Sequence, residues 1–261
     1  MSSSRASSTE PRHLEIDMNH VLKFILAAAL SMTTPLMAAT LTNGDFAGGS
    51  LASWTVTGNA SSENLLAGAA PSGNAFQAFI GNVGVSVYAL GNGAAVPVST
   101  LNSALGLSAG ALDGLKQAGD TGSVAFGSAI QQSFTANAGQ KLQFNWNFLS
   151  DETSNPAGND FAFLLLDGNL TRIANTFTTQ GPTSTVFTNE TGYQPFSLVI
   201  PTSGLHTVAF GVVDVNGALG ASAMLVDNVR VAAVPEPGSV VLMAAGLVMV
   251  AGVVARRSRQ V

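Results

Sequence analysis

Residues 141–149 set the pattern for the middle of the chain: Leu142, Phe144, Trp146 and Phe148 fall on one parity, Gln143, Asn145 and Asn147 on the other. A period of two is the signature of a half-buried strand. Residues 161–167, 195–200, 205–213 and 223–231 are further strands by their β-branched and aromatic content. Residues 163–166 are continuously apolar, which predicts burial on both faces. Gly, Asn, Asp, Ser and Pro punctuate these runs, and many short strands with frequent turn signals predict an all-β, jelly-roll-like β-sandwich rather than a parallel α/β sheet. Residues 99–116 depart from the pattern. They carry Leu101, Leu105, Leu112 and Leu115 behind a Ser99 or Thr100 cap, which predicts a short helix or two helical turns as an insertion packed over one sheet. Gly106 and Gly110 weaken that helix by about 1 kcal/mol each relative to Ala.

The ends follow other rules. Residues 18–39 have a short polar start with Lys23, an apolar stretch from Phe24 to Leu30, and small residues at Ala38 and Ala39. That is a secretory signal helix, which implies the general secretory machinery and signal peptidase as partners. Residues 1–17 are a polar extension before it, so that the start is Met1 or Met18. Residues 239–255 contain no charge and are followed by Arg256, Arg257 and Arg259. This stretch lies at the short limit of the roughly 17–25 residues that cross a bilayer. The arginines stop it on the cytoplasmic side of the inner membrane and leave the preceding domain outside. Three parts result: 1–39 as extension and signal peptide, 40–233 as a single β-sandwich ectodomain, and 234–261 as a tail with a C-terminal transmembrane helix over 239–255.

Charge and composition narrow the partners. Between residues 40 and 234 eleven acidic side chains face four basic ones. No basic patch is available to neutralise phosphates, which argues against nucleic acid. The absence of cysteine excludes disulfides and thiolate metal sites. Packing, with structural Ca²⁺ as a further device, is left to hold the fold.

Pro235, Glu236 and Pro237, then the apolar span, then the terminal arginines, resemble the PEP-CTERM sorting signal. The resemblance implies recognition and cleavage by exosortase, a membrane protease-transpeptidase, and an association with bacteria that make exopolysaccharide. Two prolines without N–H donors keep the motif extended and out of any sheet, which suits presentation to a protease.

Asn43, Gly44, Asp45 and Phe46, followed by Ser53, Trp54, Thr55 and Val56, resemble the opening strands of galactose-binding-like and carbohydrate-binding-module sandwiches. Residues 225–231 resemble their closing strand. The resemblance implies that the first and last strands lie close together, that Trp54 is a core residue, and that Asp227 is a calcium ligand with Asp45 as a candidate second one; the alternative is that Asp227 and Asn228 cap a bend or bond to the N-terminal segment. Ala47 departs from the pattern, standing where such modules often place a carboxylate. Residues 127–167 also resemble a β domain recurrent in PEP-CTERM proteins, which implies only an all-β fold. A second candidate calcium site is the loop 150–160, where Asp151, Glu152 and Asp160, with Asn155 and Asn159, offer hard oxygens on a turning backbone. The alternative is a solvated loop closed by its own Asx turns.

Catalysis has thin support. His206 is the one histidine of the ectodomain, and no G-x-S-x-G elbow, H-E-x-x-H or cysteine nucleophile is present. A glycan-acting hydrolase would need acids such as Asp151, Asp160 and Asp214 to meet in a cleft. Tyr88 and Tyr193, in turn-like surroundings, are the aromatic candidates for a sugar platform. The expectation is an exported, non-enzymatic surface or extracellular-matrix protein that binds polysaccharide in a biofilm. A hydrolase and a purely structural coat protein are the alternatives.

Overall fold

The computed structural model describes residues 41–64, 70–73, 75–83, 90–178, 181–217 and 220–232, together with 246, 247, 249 and 250. The described strands are β1 (Thr55–Thr57), β2 (Asn59–Glu63), β3 (Gln77–Gly81), β4 (Val96–Pro97), β5 (Val124–Ala136), β6 (Lys141–Ser150), β7 (Phe161–Leu166), β8 (Asn169–Asn175), β9 (Gly181–Pro182), β10 (Asn189–Glu190), β11 (Gln194–Val199), β12 (Gly204–Val215) and β13 (Ser222–Ala232). Helix α1 (Val98–Ala104) lies between β4 and β5.

These strands form two antiparallel sheets. Sheet A runs β1-β5-β12-β7-β8, with β4 also on β5, and sheet B runs β2-β3-β13-β6-β10-β9, with β11 also on β6. Successive long strands change sheets: β5 is in A, β6 in B, β7 in A, and β12 in A precedes β13 in B. Crossing back and forth in this way makes a jelly-roll-like β-sandwich.

Even-numbered positions of the long strands face inward. Ile130, Phe134, Ala162, Leu164, Val208, Phe210 and Val212 of sheet A meet Leu142, Phe144, Phe148, Met224 and Val226 of sheet B in the central core. Trp54 joins that core, 5.8 Å from Phe46 and 5.9 Å from Phe210 between ring centroids, and its Nε1–H donates to the Asn43 carbonyl at 3.0 Å. A buried indole with its donor satisfied adds area and fixes an orientation. Trp146 is half-buried against the same core.

Strand β7 is buried on both faces, as its unbroken apolar run predicts. It ends at Leu166, one residue before the expected boundary, because Asp167 (φ 51°) and Gly168 (φ 80°) form the two-residue turn that pairs Leu166 with Asn169. Both turn residues have positive φ, as a hairpin matched to strand twist requires, and Asp-Gly is a sequence that tolerates it.

The helical insertion is present but shorter than residues 99–116. Helix α1 covers Val98–Ala104, and a single 3-10 turn follows at Asp113–Leu115. Gly106 (φ 68°), just past the Leu105 cap, takes the left-handed conformation that ends the helix, and Gly110 (φ 77°) is left-handed again before the 3-10 turn. Neither Ser99 nor Thr100 caps it: the cap position is Pro97, which makes no side-chain cap bond. Leu101, Leu105 and Leu112 nonetheless pack with Phe161, Phe163, Leu165, Ala209 and Val213 on the outer face of sheet A, and Leu115 lies against them.

The opening segment also differs from expectation. Residues 43–46 bend instead of forming a strand, since Asn43 (φ 49°) and Phe46 (φ 53°) are left-handed. The segment still reaches the closing strand, where the Val229 N–H donates to the Gly44 carbonyl at 2.8 Å. A Cβ at Gly44 would stand 1.9 Å from the Val229 carbonyl oxygen, so only glycine fits this approach.

Candidate functional site

The outer face of sheet B carries a band of polar side chains. Its outward positions are odd-numbered on β6, on β11 and on β13 as far as Asp227, even-numbered on β13 from Arg230, and register sets them in rows. Ser197, Gln143 and Arg230 are one row, and Pro195, Asn145 and Asp227 the next. A bulge lies between Asp227 and Arg230, where Asn228 has φ 55°. Gln143 and Asn145 are half-buried, while Pro195, Ser197 and Arg230 are exposed.

Toward Ser150 the band is roofed. Asn147 Nδ2 donates to Glu190 Oε2 at 2.6 Å, and Thr191 Oγ1 donates to Asn147 Oδ1 at 3.1 Å. The Tyr193 hydroxyl bonds to Gln77, and its ring lies against Phe79, Leu149, Phe187, Ala223 and Leu225. Tyr193 is therefore a half-buried wall of the band and not a free platform. Burial first, then Asp227 and Glu190, push its hydroxyl above the usual phenol range.

Asp227 is fully buried in this band. Its carboxylate accepts from Asn228 N at 2.6 Å, Gly73 N at 3.1 Å and Ser72 Oγ at 3.2 Å. Burial raises its pKa, and those donors, Asn228 foremost, oppose the rise. Asp45 is exposed and closes its own turn by accepting from Ala47 N at 3.3 Å. The Asp45 segment thus reaches β13 through the Gly44 carbonyl, while the Asp227 carboxylate serves residues 72–73.

A second polar group closes one end of the space between the sheets. The inward parity that places Val212 and Ala162 in the core continues to Asp214 and Asp160, and that of Ile80, Phe148 and Met224 to Asn82, Ser150 and Ser222. Asp160 Oδ1 accepts from Val215 N at 2.7 Å and Oδ2 from Asn82 Nδ2 at 2.6 Å. Asn82 Oδ1 accepts from Ser222 N at 2.8 Å, and the Ser150 and Ser222 hydroxyls lie 2.9 Å apart. Glu152 hangs from this network through its N–H, which donates to Ser150 Oγ at 3.0 Å.

Three carboxyls in this network are pushed up in pKa. Glu152 rises to about 7, through burial and then Asp214. Burial raises Asp160 well above the usual range, the Val215 N–H opposes it, and Glu152 and Asp214 add to it. Asp214 rises through burial, against the N–H of Gly217.

Of the loop acids expected to gather, Glu152 and Asp160 come together. Asp151 turns away, its Oδ1 accepting from Thr188 N at 2.6 Å and Thr188 Oγ1 at 2.9 Å. Asn159 is occupied between Asp120 and Thr176, and Asn155 accepts from Ala157 N in an Asx turn. Asp214, absent from the calcium set read in the sequence, takes the third place. The alternation of residues 208–214 marks it as inward, which was the available signal. Among the described residues no three acidic or histidine side chains stand close enough to hold one metal ion by themselves.

His206 is structural. It is buried, with Nδ1 2.7 Å from Asp167 Oδ2 and Nε2 3.1 Å from the Thr202 carbonyl oxygen, and its ring packs on Phe134. Tyr88, the signal segment, Pro235, Glu236 and Pro237, and Arg256, Arg257 and Arg259 lie outside the described residues. Within the expected span 239–255, residues 246, 247, 249 and 250 are described, and they are helical. No helix among the described residues is long and apolar enough to cross a membrane.

Residues 233–260 match the family model described as the PEP-CTERM protein-sorting motif. The chain carries a PEP-CTERM sorting tail. That motif marks an exported protein, processed and anchored through its C-terminus, with exosortase as the processing partner. No curated protein matches the chain.

Among solved structures, TmCBM61 in complex with β-1,4-galactotriose is 10% identical, with 73% of this chain and 96% of that one covered and a TM-score of 0.37. A non-crystalline cellulose specific carbohydrate-binding module, CBM28, is 12% identical over 77% and 98%, with a TM-score of 0.40. TmCBM27, a module of specific mannan recognition, is 14% identical over 75% and 95%, with a TM-score of 0.34. At such identities and scores the likeness is one of sandwich architecture alone.

Proposed function

We propose that the exported domain is a non-enzymatic surface or matrix component that binds polysaccharide, in a biofilm setting, through the outer face of sheet B. The observation that carries this reading is the open part of the polar band. There Gln143 and Asn145 stay half-exposed, in register with Ser197, Pro195 and Arg230 on the flanking strands. Each amide offers two donors and an acceptor oxygen with two lone pairs, which matches the alternating donors and acceptors of sugar hydroxyls. They project from the centre of a paired sheet, whose rigidity limits the ordering cost of binding. Tyr193 walls the band and holds its shape through Gln77.

A hydrolase fits the same molecule less well. Paired acids must flank a sugar at about 5–9.5 Å. Asp160 and Asp214 instead are 0% and 5% exposed and face the interior between the sheets.

The test is binding of the purified protein to a glycan array and to exopolysaccharide from a producing strain, with release of reducing ends measured alongside. Binding that falls at least tenfold in Gln143→Ala/Asn145→Ala, with no reducing ends released, is the expected result. Undiminished binding by that variant would remove the site, and steady release of reducing ends would replace a binder with a hydrolase.

A further inference from the structure

The polar end of the sandwich contains a carboxylate that the fold itself does not satisfy. Asn82, Ser150, Asp160 and Ser222 bond to one another across the two sheets, and Asp214 Oδ1 accepts from Gly217 N at 2.9 Å. Glu152 is different. It is 3% exposed, and neither Oε1 nor Oε2 meets a hydrogen-bond donor. Leaving a buried carboxylate without donors is costly, because desolvation is not repaid by any bond.

Its position is constrained as well. A Cβ at Gly220 would lie 3.3 Å from Glu152 Cγ, so Gly220 passes close beside the stem of this side chain. Asp214 is near enough to repel it, and Asp160 feels both. The described cations are engaged elsewhere or stand at a distance, Arg230 among the latter because it is in register with Gln143 near the start of β6. Lys116 pairs with Asp113 at 3.2 Å, Arg172 donates to the Leu115 carbonyl at 2.7 Å, and His206 is held by Asp167. Lys141 begins β6 and Glu152 follows its far end, so the length of the strand separates them.

We infer that this end of the sandwich binds a divalent cation, calcium by its chemistry, with Glu152 and Asp214 as the carboxylate ligands. Glu152 contributes two oxygens and Asp214 the oxygen that Gly217 leaves free. Asp160 is committed to Asn82 and Val215 and acts as a nearby negative charge. Calcium takes six to eight oxygens in tolerant geometry, so main-chain carbonyls and water complete a shell that two side chains begin. Magnesium demands near-ideal octahedral geometry at shorter distances and fits a two-carboxylate turn less well. The small number of charged ligands sets the expected affinity at about 10⁻⁴–10⁻³ M, the range of extracellular modules. That range suits a protein exported from the cell. This site is separate from the sheet B band and does not depend on the polysaccharide reading.

The experiment uses the full chain, stripped with chelator and titrated at pH 8 with calcium, and in parallel with magnesium, while the melting temperature and the heat of binding are followed. A ligand that binds only the native state raises the melting temperature in proportion to its occupancy. Calcium is expected to raise it with a midpoint near 10⁻⁴–10⁻³ M, and magnesium at the same concentrations to raise it less. Glu152→Gln and Asp214→Asn, which keep shape and remove charge, should each weaken calcium binding at least tenfold. Asp227→Asn should leave it unchanged. Glu152→Gln should also melt higher than the parent in chelator, because the repulsion is gone, which shows that the variant is folded. No calcium response in the parent would overturn the site. So would a response that survives in Glu152→Gln, or one that disappears in Asp227→Asn instead.

Discussion

The two sheets share a core but treat their outer faces in opposite ways. Sheet A presents Phe161, Phe163, Leu165, Ala209 and Val213, and helix α1 with the turn after it lays Leu101, Leu105 and Leu112 over them. Sheet B presents Gln143, Asn145, Asn147 and Asp227, partly roofed by residues 72–73 and 190–193 and partly open, beside an apolar patch of Phe79, Leu149, Ala223 and Leu225 that Leu90, Phe187 and Tyr193 cover. Strand β7, apolar at every position, and strand β6, alternating, are the sequence forms of the two solutions. A doubly apolar strand needs a second cover, and the insertion supplies it. An alternating strand needs one only where it turns apolar, as β6 does at Leu149, and the rest of its polar side can meet a ligand.

The largest expected effect tests the covered face. Phe163→Ala should cost about 3–5 kcal/mol, since it removes a fully buried ring between sheet A and the insertion. Chemical denaturation measures it, and a loss under 1 kcal/mol would mean that the insertion does not seal this face.

Next in size is the end where the inner faces of both sheets stop. In chelator, Glu152 keeps its proton up to about pH 7, whereas an unfolded glutamate releases it near its ordinary value of 4.5. Between those values the folded state holds more protons than the unfolded one, so stability falls as pH rises through the window. After allowance for solvent reaching this turn, the fall is about 1–2 kcal/mol. The Glu152 share of the fall should be absent in Glu152→Gln, which leaves only what the raised Asp160 and Asp214 contribute, and melting curves from pH 4.5 to 8 decide.

A smaller effect concerns how the cover is made. Gly106 is left-handed at φ 68° with open space around its Cα, so Gly106→Ala should cost about 1 kcal/mol through backbone conformation alone. Gain of stability would show that the helix prefers to run on, as its leucine spacing suggests.

The smallest stability effect belongs to the open face. Asn145→Ala should shift stability by no more than about 0.5 kcal/mol, the range of surface changes away from packed features. It should nevertheless weaken glycan binding measurably. A large stability loss with no change in binding would make the two faces alike in purpose.

Much of this fold is legible in the residues because strand periodicity is local. The alternation of residues 141–149 gives both the face and the burial of β6, and Asp167-Gly168 announces its hairpin turn. Helix length was not legible from leucine spacing, because the left-handed glycines that interrupt it obey backbone sterics and not hydrophobic period. Tyr193 shows a further limit: a turn-like neighbourhood says nothing about which side chain across the sheet will receive its hydroxyl.

By itself, then, the sequence determines the all-β character, the inward and outward faces of its long strands, and the sorting tail, each of which is encoded in neighbouring residues. Tertiary structure alone decides that Glu152 leaves Asp151 to meet Asp214, and that Asp227 turns to residues 72–73 and away from Asp45. The physical reason is distance along the chain. Those partners are brought together by strand register and sheet-to-sheet packing, which no short window of residues contains.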